Sequence, residues 1–94
     1  MPLFVLTCLD RPAALETRMA TREKHLAYAR DSGVVRAAGA FLGADGQPEG
    51  SMIIVETADI EAARAFGAGD PYAVAGVFAS TEVRPWRMAI GAFA

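Results

Sequence analysis

Polar and apolar positions change period along this chain in a fixed order. Residues 3–9 alternate, yet both faces are apolar: Leu3, Val5, Thr7 and Leu9 against Phe4, Leu6 and Cys8. Such a strand is expected to be central and covered on both sides. Asp10-Arg11-Pro12 is a turn that can open a helix, with Pro12 suited to the first helical position. Residues 13–31 carry a helical period, with Leu15, Met19, Leu26 and Ala29 on one stripe, and Ser32-Gly33 supplies the stop signal. Residues 34–42 predict a second strand, in which Gly39 marks a bulge or a close approach. Asp45-Gly46 turns the chain within 43–50. Residues 51–57, opened by Ser51, predict a third strand paired with the second as a hairpin. Asp59 is expected to cap a second helix over 60–66, stopped by Gly67-Ala68-Gly69. Asp70-Pro71 then starts a short helical turn to about Val74. The last strand, about 78–88, is predicted to carry Phe78, Ser80, Glu82, Arg84, Trp86 and Met88 on one face. Pro85 cannot donate to a ladder, which puts that strand at a sheet edge or a bulge.

Strand, helix, strand, strand, helix, strand is the split βαβ, ferredoxin-like order. The predicted class is α+β: an antiparallel sheet with both helices on one face, in a single domain over residues 1–94. The chain is 94 residues long and 53 % hydrophobic, more apolar surface than so small a domain can hide inside itself. The surplus predicts an apolar outer sheet face, closed by a second copy or lining a ligand cavity. A homodimer through facing sheets is therefore expected, with the apolar tail of residues 89–94 available to a partner subunit. The net charge of −2 gives no footprint for nucleic acid. No apolar run reaches the length of a bilayer span, and the N-terminus lacks the basic start of a signal peptide. One cysteine, Cys8, excludes an internal disulfide and reads as a small buried hydrophobe. Together these point to a cytoplasmic protein.

The only histidine is His25. Arg18, Arg22 and His25 follow at spacings of four and three and so share one edge of the first helix. They read either as a solvated flank whose stems cover the core or as a cationic rim facing a pocket that holds an anion. Asp70 reads as the N-cap of the short helix, and a carboxylate fixed there can also orient an imidazole. If the fold brings His25 to Asp70, the pair can move protons near neutral pH. No serine or cysteine lies in a nucleophile motif. One histidine and one cysteine without clustered carboxylates do not form a metal-ligand set. The segment Gly43 to Gly50 lacks the lysine and spacing of a phosphate loop.

Arg22-Glu23-Lys24-His25-Leu26-Ala27-Tyr28, the Gly39 strand, Gly50-Ser51, Asp70-Pro71-Tyr72 through Phe78, and Val83-Arg84-Pro85-Trp86 together resemble the YciI-like proteins of the dimeric α+β barrel superfamily. The resemblance spans about residues 3–88. It implies a ferredoxin-like protomer, a dimer with facing sheets, and a pocket holding a histidine and an aspartate. Those roles fall on His25 and Asp70, with Ser51 beside them. Arg22, Tyr72, Arg84 and Trp86 are the further substrate-binding candidates, although Tyr72 and Trp86 read more readily as core aromatics than as ligand platforms. A branch of the family is associated with eliminating HCl from a chlorinated hydroxyquinone, so lyase or isomerase chemistry on a small cyclic compound is the implied activity. The alternatives are a non-catalytic dimer that binds or senses a small metabolite and a purely structural dimer domain. Related dimeric barrels bind haem, but nothing in this sequence specifically supports a haem on His25, and no cofactor is expected. This chain has Ala38-Gly39-Ala40 where the family often has Gly-Pro, which marks a different pocket wall.

Overall fold

A computed structural model describes residues 1–93. Its first strand, β1 (Leu3–Asp10), lies inside an antiparallel sheet with β2 (Val35–Leu42), β3 (Pro48–Glu56) and β4 (Phe78–Trp86), in the order β2-β3-β1-β4. Helices α1 (Leu15–Ser32), α2 (Ile60–Gly69) and the short α3 (Pro71–Val74) complete the chain. This is the ferredoxin-like α+β arrangement that the order of periods predicts. Phe4, Leu6 and Cys8 point under the helices and join Ile53, Val55 and Phe66 in the core. Leu6, Ile53 and Val55 lose nearly all contact with water, each burial stabilising the fold by ~1.5–3 kcal/mol. The opposite face of β1 is only partly covered, and Leu9 is 51 % exposed. Coverage of both faces is therefore not met within one protomer.

Several local expectations shift for physical reasons. Pro12 lies in a turn, and α1 begins only at Leu15 without a side-chain cap. Asp10, the natural capping residue for an earlier start, points instead to Arg18. Arg11 N–H donates to Val77 O at 2.8 Å and ties this connection to the chain just before β4. Gly33 closes α1 in the left-handed region, φ 72°, as expected of a glycine there. The bulges in β2 fall between Val35 and Ala37 and between Phe41 and Leu42, not at Gly39. Nor do the described residues crowd Gly39, since a Cβ there would meet none of their atoms within 4 Å.

Ser51 does not open β3 but sits inside it, opposite Cys8 and Ala40. Asp59 caps α2 as predicted, its carboxylate accepting from Ala62 N–H at 2.8 Å. Gly67-Ala68-Gly69 continues the helix instead of ending it. Its glycines allow close packing: a Cβ on Gly67 would stand 2.9 Å from Leu6 Cδ2, and one on Gly69 2.6 Å from the Tyr28 hydroxyl. Strand β4 is an edge strand, which suits Pro85. A register shift opposite Leu9 and Asp10 turns Phe78 to the helix side, away from Ser80, Glu82, Arg84 and Trp86. The tail leaves Ile90 exposed, and its expected packing on a partner extends to Ala94, which lies outside the described residues.

Candidate active site

Helix α1 packs with polar residues inward. Its two buried side chains are Arg18 and His25, while Leu15 and Met19 are 39 % and 54 % exposed. The predicted apolar stripe thus does not carry the contact with the sheet. The polar edge faces the core because fixed partners wait there, and buried charge is tolerated only when paired and hydrogen-bonded. Asp10, at the end of β1, takes Arg18 Nη1 at 3.0 and 3.2 Å on its two oxygens. Arg18 Nη2 donates to Ser51 Oγ at 2.7 Å. Both side chains of this ion pair are 5 % exposed.

One helical segment further on, Asp70 occupies the junction between α2 and α3. It accepts the Tyr72 N–H at 2.9 Å and so caps α3, with Pro71 at the helix start. The same carboxylate meets His25 Nδ1 at 2.9 and 3.0 Å. A carboxylate can only accept, so Nδ1 carries the proton and the lone pair of the neutral imidazole lies on Nε2. Among the described residues Nε2 has no protein hydrogen-bond partner. Among the described residues no buried polar side-chain atom is left unpartnered, so Nε2 keeps contact with solvent. The Tyr72 ring stacks on the imidazole at 4.1 Å and 14°, and its edge meets Phe78. The Arg18 guanidinium carbon lies 4.6 Å from the centre of the same Tyr72 ring.

Arg18, His25, Ser51 and Tyr72 line a cavity of about 160 Å³ together with Leu26, Ala38, Gly39, Ala40 and Ile53, and Asp10 and Asp70 hold Arg18 and His25 from behind it. Arg22 stands at its rim, exposed and without an ion-pair partner among the described residues. Wider surface depressions exist, including one of about 530 Å³ between the β1–α1 connection and the β2–β3 turn. That one has no imidazole, and its arginine, Arg11, donates to Phe78 O at 3.3 Å. Burial raises the Tyr72 hydroxyl above its ordinary value, so it stays a neutral hydrogen-bond donor at neutral pH. Cys8, beneath the site, is pushed up to about 11 by burial, which keeps it an unreactive thiol.

Of the sequence candidates, the fold brings together His25, Asp70, Arg22, Ser51 and Tyr72. It does not bring Arg84 or Trp86 to them. Arg84 pairs opposite Val5 and Trp86 opposite Leu3, so strand alternation sends both to the open face of the sheet. There they line a separate depression with Thr7, Met52 and Ile54. Asp10 is a member of the site that the sequence presents only as a turn residue. Its signal was the absence of a side-chain cap acceptor nearer Leu15, combined with an arginine one turn into the helix. Among the described residues, no group of three or more His, Cys, Asp or Glu side chains could hold a metal ion.

The YCII-related domain model matches residues 2–87. Protein YciI of Escherichia coli O6:H1 (strain CFT073) is 33 % identical over 94 residues, spanning 90 % of this chain and 96 % of that protein. An uncharacterized protein of Haemophilus influenzae (strain Rd) is 32 % identical over 96 residues, with 89 % and 95 % covered. Among solved structures, 5-chloro-2-hydroxyhydroquinone dehydrochlorinase (TftG) from Burkholderia phenoliruptrix, in complex with 2,5-dihydroxybenzoquinone, superposes with a TM-score of 0.83 at 33 % identity, covering 90 % of this chain and 93 % of that one. An antibiotic biosynthesis monooxygenase, at 14 % identity and a TM-score of 0.59, covers 96 % of this chain and shares the fold alone. With the family model covering most of its length and full-length relatives at a third identity, this chain belongs to the YCII-related family.

Proposed function

We propose that this protein is a small-molecule enzyme in which His25 moves protons and Asp70 orients it. The chemistry would be of the lyase or isomerase type, with dehydrochlorination of a chlorinated hydroxyhydroquinone as the specific candidate. The observation that carries this reading is an imidazole held at Nδ1 by a buried carboxylate, its Nε2 left free in a cavity large enough for one substituted ring. The similarity to a dehydrochlorinase at 33 % identity adds support. Nε2 removes a ring hydroxyl proton and returns it to the carbon bearing chlorine, giving the keto tautomer. Loss of a second hydroxyl proton then expels chloride and leaves a hydroxyquinone. The ring loses one H⁺ and one Cl⁻, so no oxidant is needed. Arg22 is the group that would hold the anionic oxygen formed along the way, because Arg18 is already engaged. Ser51 acts in this scheme by holding Arg18, and Tyr72 by stacking on His25.

The active form proposed is a homodimer with the open sheet faces apposed. Leu9, Met52 and Trp86 are 51 %, 40 % and 39 % exposed on that face, and Arg84 lies among them. Light scattering of the wild type should give twice the protomer mass, and Met52→Glu with Trp86→Glu should give the protomer mass.

The decisive assay is anaerobic chloride release from 5-chloro-2-hydroxyhydroquinone. Wild type should release chloride, with His25→Ala and Asp70→Asn slower by on the order of 10²–10⁴ and 10²-fold respectively. Unchanged turnover in His25→Ala would remove the mechanism. Thermal stabilisation by 2,5-dihydroxybenzoquinone without chloride release would favour a binding module instead.

A further inference from the structure

The bond from Asp70 to Nδ1 fixes one edge of the imidazole, but it leaves the ring free to turn about that contact. A second constraint acts on the face of the ring. The Tyr72 side chain is stacked there at 4.1 Å, and its own backbone N–H is held by the same Asp70. Carboxylate and aromatic plate therefore arrive on one rigid Asp-Pro-Tyr turn.

Arg18 and His25 lie seven residues apart on α1, two turns and nearly the same helical face, roughly 10.5 Å along the axis. One aromatic ring fits between two such side chains, with a stacking layer on each side. The observed separations from the Tyr72 ring, 4.6 Å to the guanidinium carbon and 4.1 Å to the imidazole centre, fit that arrangement. A guanidinium is planar and stacks well on an aromatic face. This one cannot swing away, because Asp10 takes it at 3.0 Å and Ser51 at 2.7 Å.

We infer that Arg18 is a positioning residue: anchored by Asp10 and Ser51, it clamps the Tyr72 ring against His25 and so fixes the plane in which Nε2 is presented to the cavity. The inference rests on the reading of His25 as the proton-transfer group. It also gives Arg18 and Arg22 different work, one locked behind the site and one free at its rim.

His25 is the only histidine, so a ¹⁵N-labelled sample yields a single imidazole pattern. In the wild type we expect one tautomer protonated at Nδ1, with imidazole C–H protons moved upfield by the Tyr72 ring. Arg18→Lys keeps the charge opposite Asp10 but loses the planar plate. It should lose the upfield displacement while Asp70 keeps the proton on Nδ1. Tyr72→Phe keeps the ring and should retain the wild-type pattern. In the chloride-release assay, Arg18→Lys should lower kcat by about ten- to a hundredfold with KM within about a factor of two. An Arg18→Lys imidazole pattern identical to wild type overturns the inference. So does a changed pattern in Tyr72→Phe, which would put the effect in the hydroxyl. Should Arg18→Lys not fold, Ser51→Ala loosens the same anchor and should shift the pattern in the same direction by less, and an unmoved pattern there overturns the inference equally. Asp70→Asn separates the two readings. A wild-type tautomer in that variant removes Asp70 as the orienter, while the Arg18→Lys result still decides the clamp.

Discussion

Helices α1 and α2 cover the same face of one sheet and bury opposite chemistry. Helix α2 turns Ala63, Phe66 and Gly67 inward. Helix α1 turns Arg18 and His25 inward and leaves Leu15 and Met19 to solvent. The two are clasped together by the Tyr28 hydroxyl, which donates to Phe66 O at 2.8 Å, and by a tilted Tyr28–Phe66 ring contact at 5.0 Å. Apolar burial stabilises without needing partners, whereas a buried ion pair roughly breaks even against a well-packed apolar substitute. The inward face of α1 is thus poorly explained by stability alone and fits the proposed site. Helix α2 is frame; helix α1 is frame at Tyr28 and, in the proposed function, instrument at Arg18 and His25.

That contrast can be broken in steps. The largest effect should come from His25→Ala, which lowers turnover by on the order of 10²–10⁴ while urea unfolding still shows a cooperative transition. A variant with full turnover ends the division of labour. Phe66→Ala on α2 should cost about 3–5 kcal/mol in urea unfolding. Its kcat, measured below the unfolding transition, should stay close to wild type, and a selective loss of kcat would make α2 part of the site.

Arg18→Met should cost about 3–5 kcal/mol, because Asp10 is left buried and unpaired. Adding Asp10→Leu should recover most of that stability but none of the activity. If the double variant is no more stable than the single, the ion pair is structural in a way the α2 comparison does not capture.

Cys8 supplies a pH test of the core beneath both helices. Its folded-state value is raised from 9.0 to about 11 by burial. Between those values the unfolded chain has released the proton and the folded chain has not. Stability is therefore complete below pH 9 and falls as pH rises toward 11. Cys8→Ala should flatten that decline, seen as a smaller drop in unfolding midpoint over the window. The smallest effect belongs to Met19→Lys on the exposed side of α1, within about 0.5 kcal/mol of wild type. A drop of several kcal/mol there would mean that the face carrying Met19 is covered in the working assembly.

Much of the frame was legible before any coordinates. The alternation at 3–9, the turn at Asp45-Gly46, the Asp59 cap and the Asp70-Pro71 start all lie where local rules put them. Local rules failed where a residue had two competing partners. Asp10 could cap α1 or pair with Arg18, and the buried arginine won. Gly67 and Gly69 read as a helix stop, yet close approach to Leu6 and Tyr28 made them useful inside α2. A single bulge beside Leu9 was enough to separate Phe78 from the alternation that carries Arg84 and Trp86.

The sequence by itself determined the order of elements and the residue types that can move a proton, because period, turn chemistry and side-chain functionality are local properties. It also singled out His25 and Asp70 as a pair worth bringing together. Only the tertiary structure decided which side of α1 faces the sheet, which arginine is spent and which is free, and on which face Arg84 and Trp86 emerge. Those outcomes depend on strand register and on partners distant in sequence, such as Ser51, 33 residues from Arg18, and Asp70, 45 residues from His25. A helix with both an apolar stripe and a charged edge can dock by either, and the choice falls to whichever edge meets partners that satisfy its hydrogen bonds.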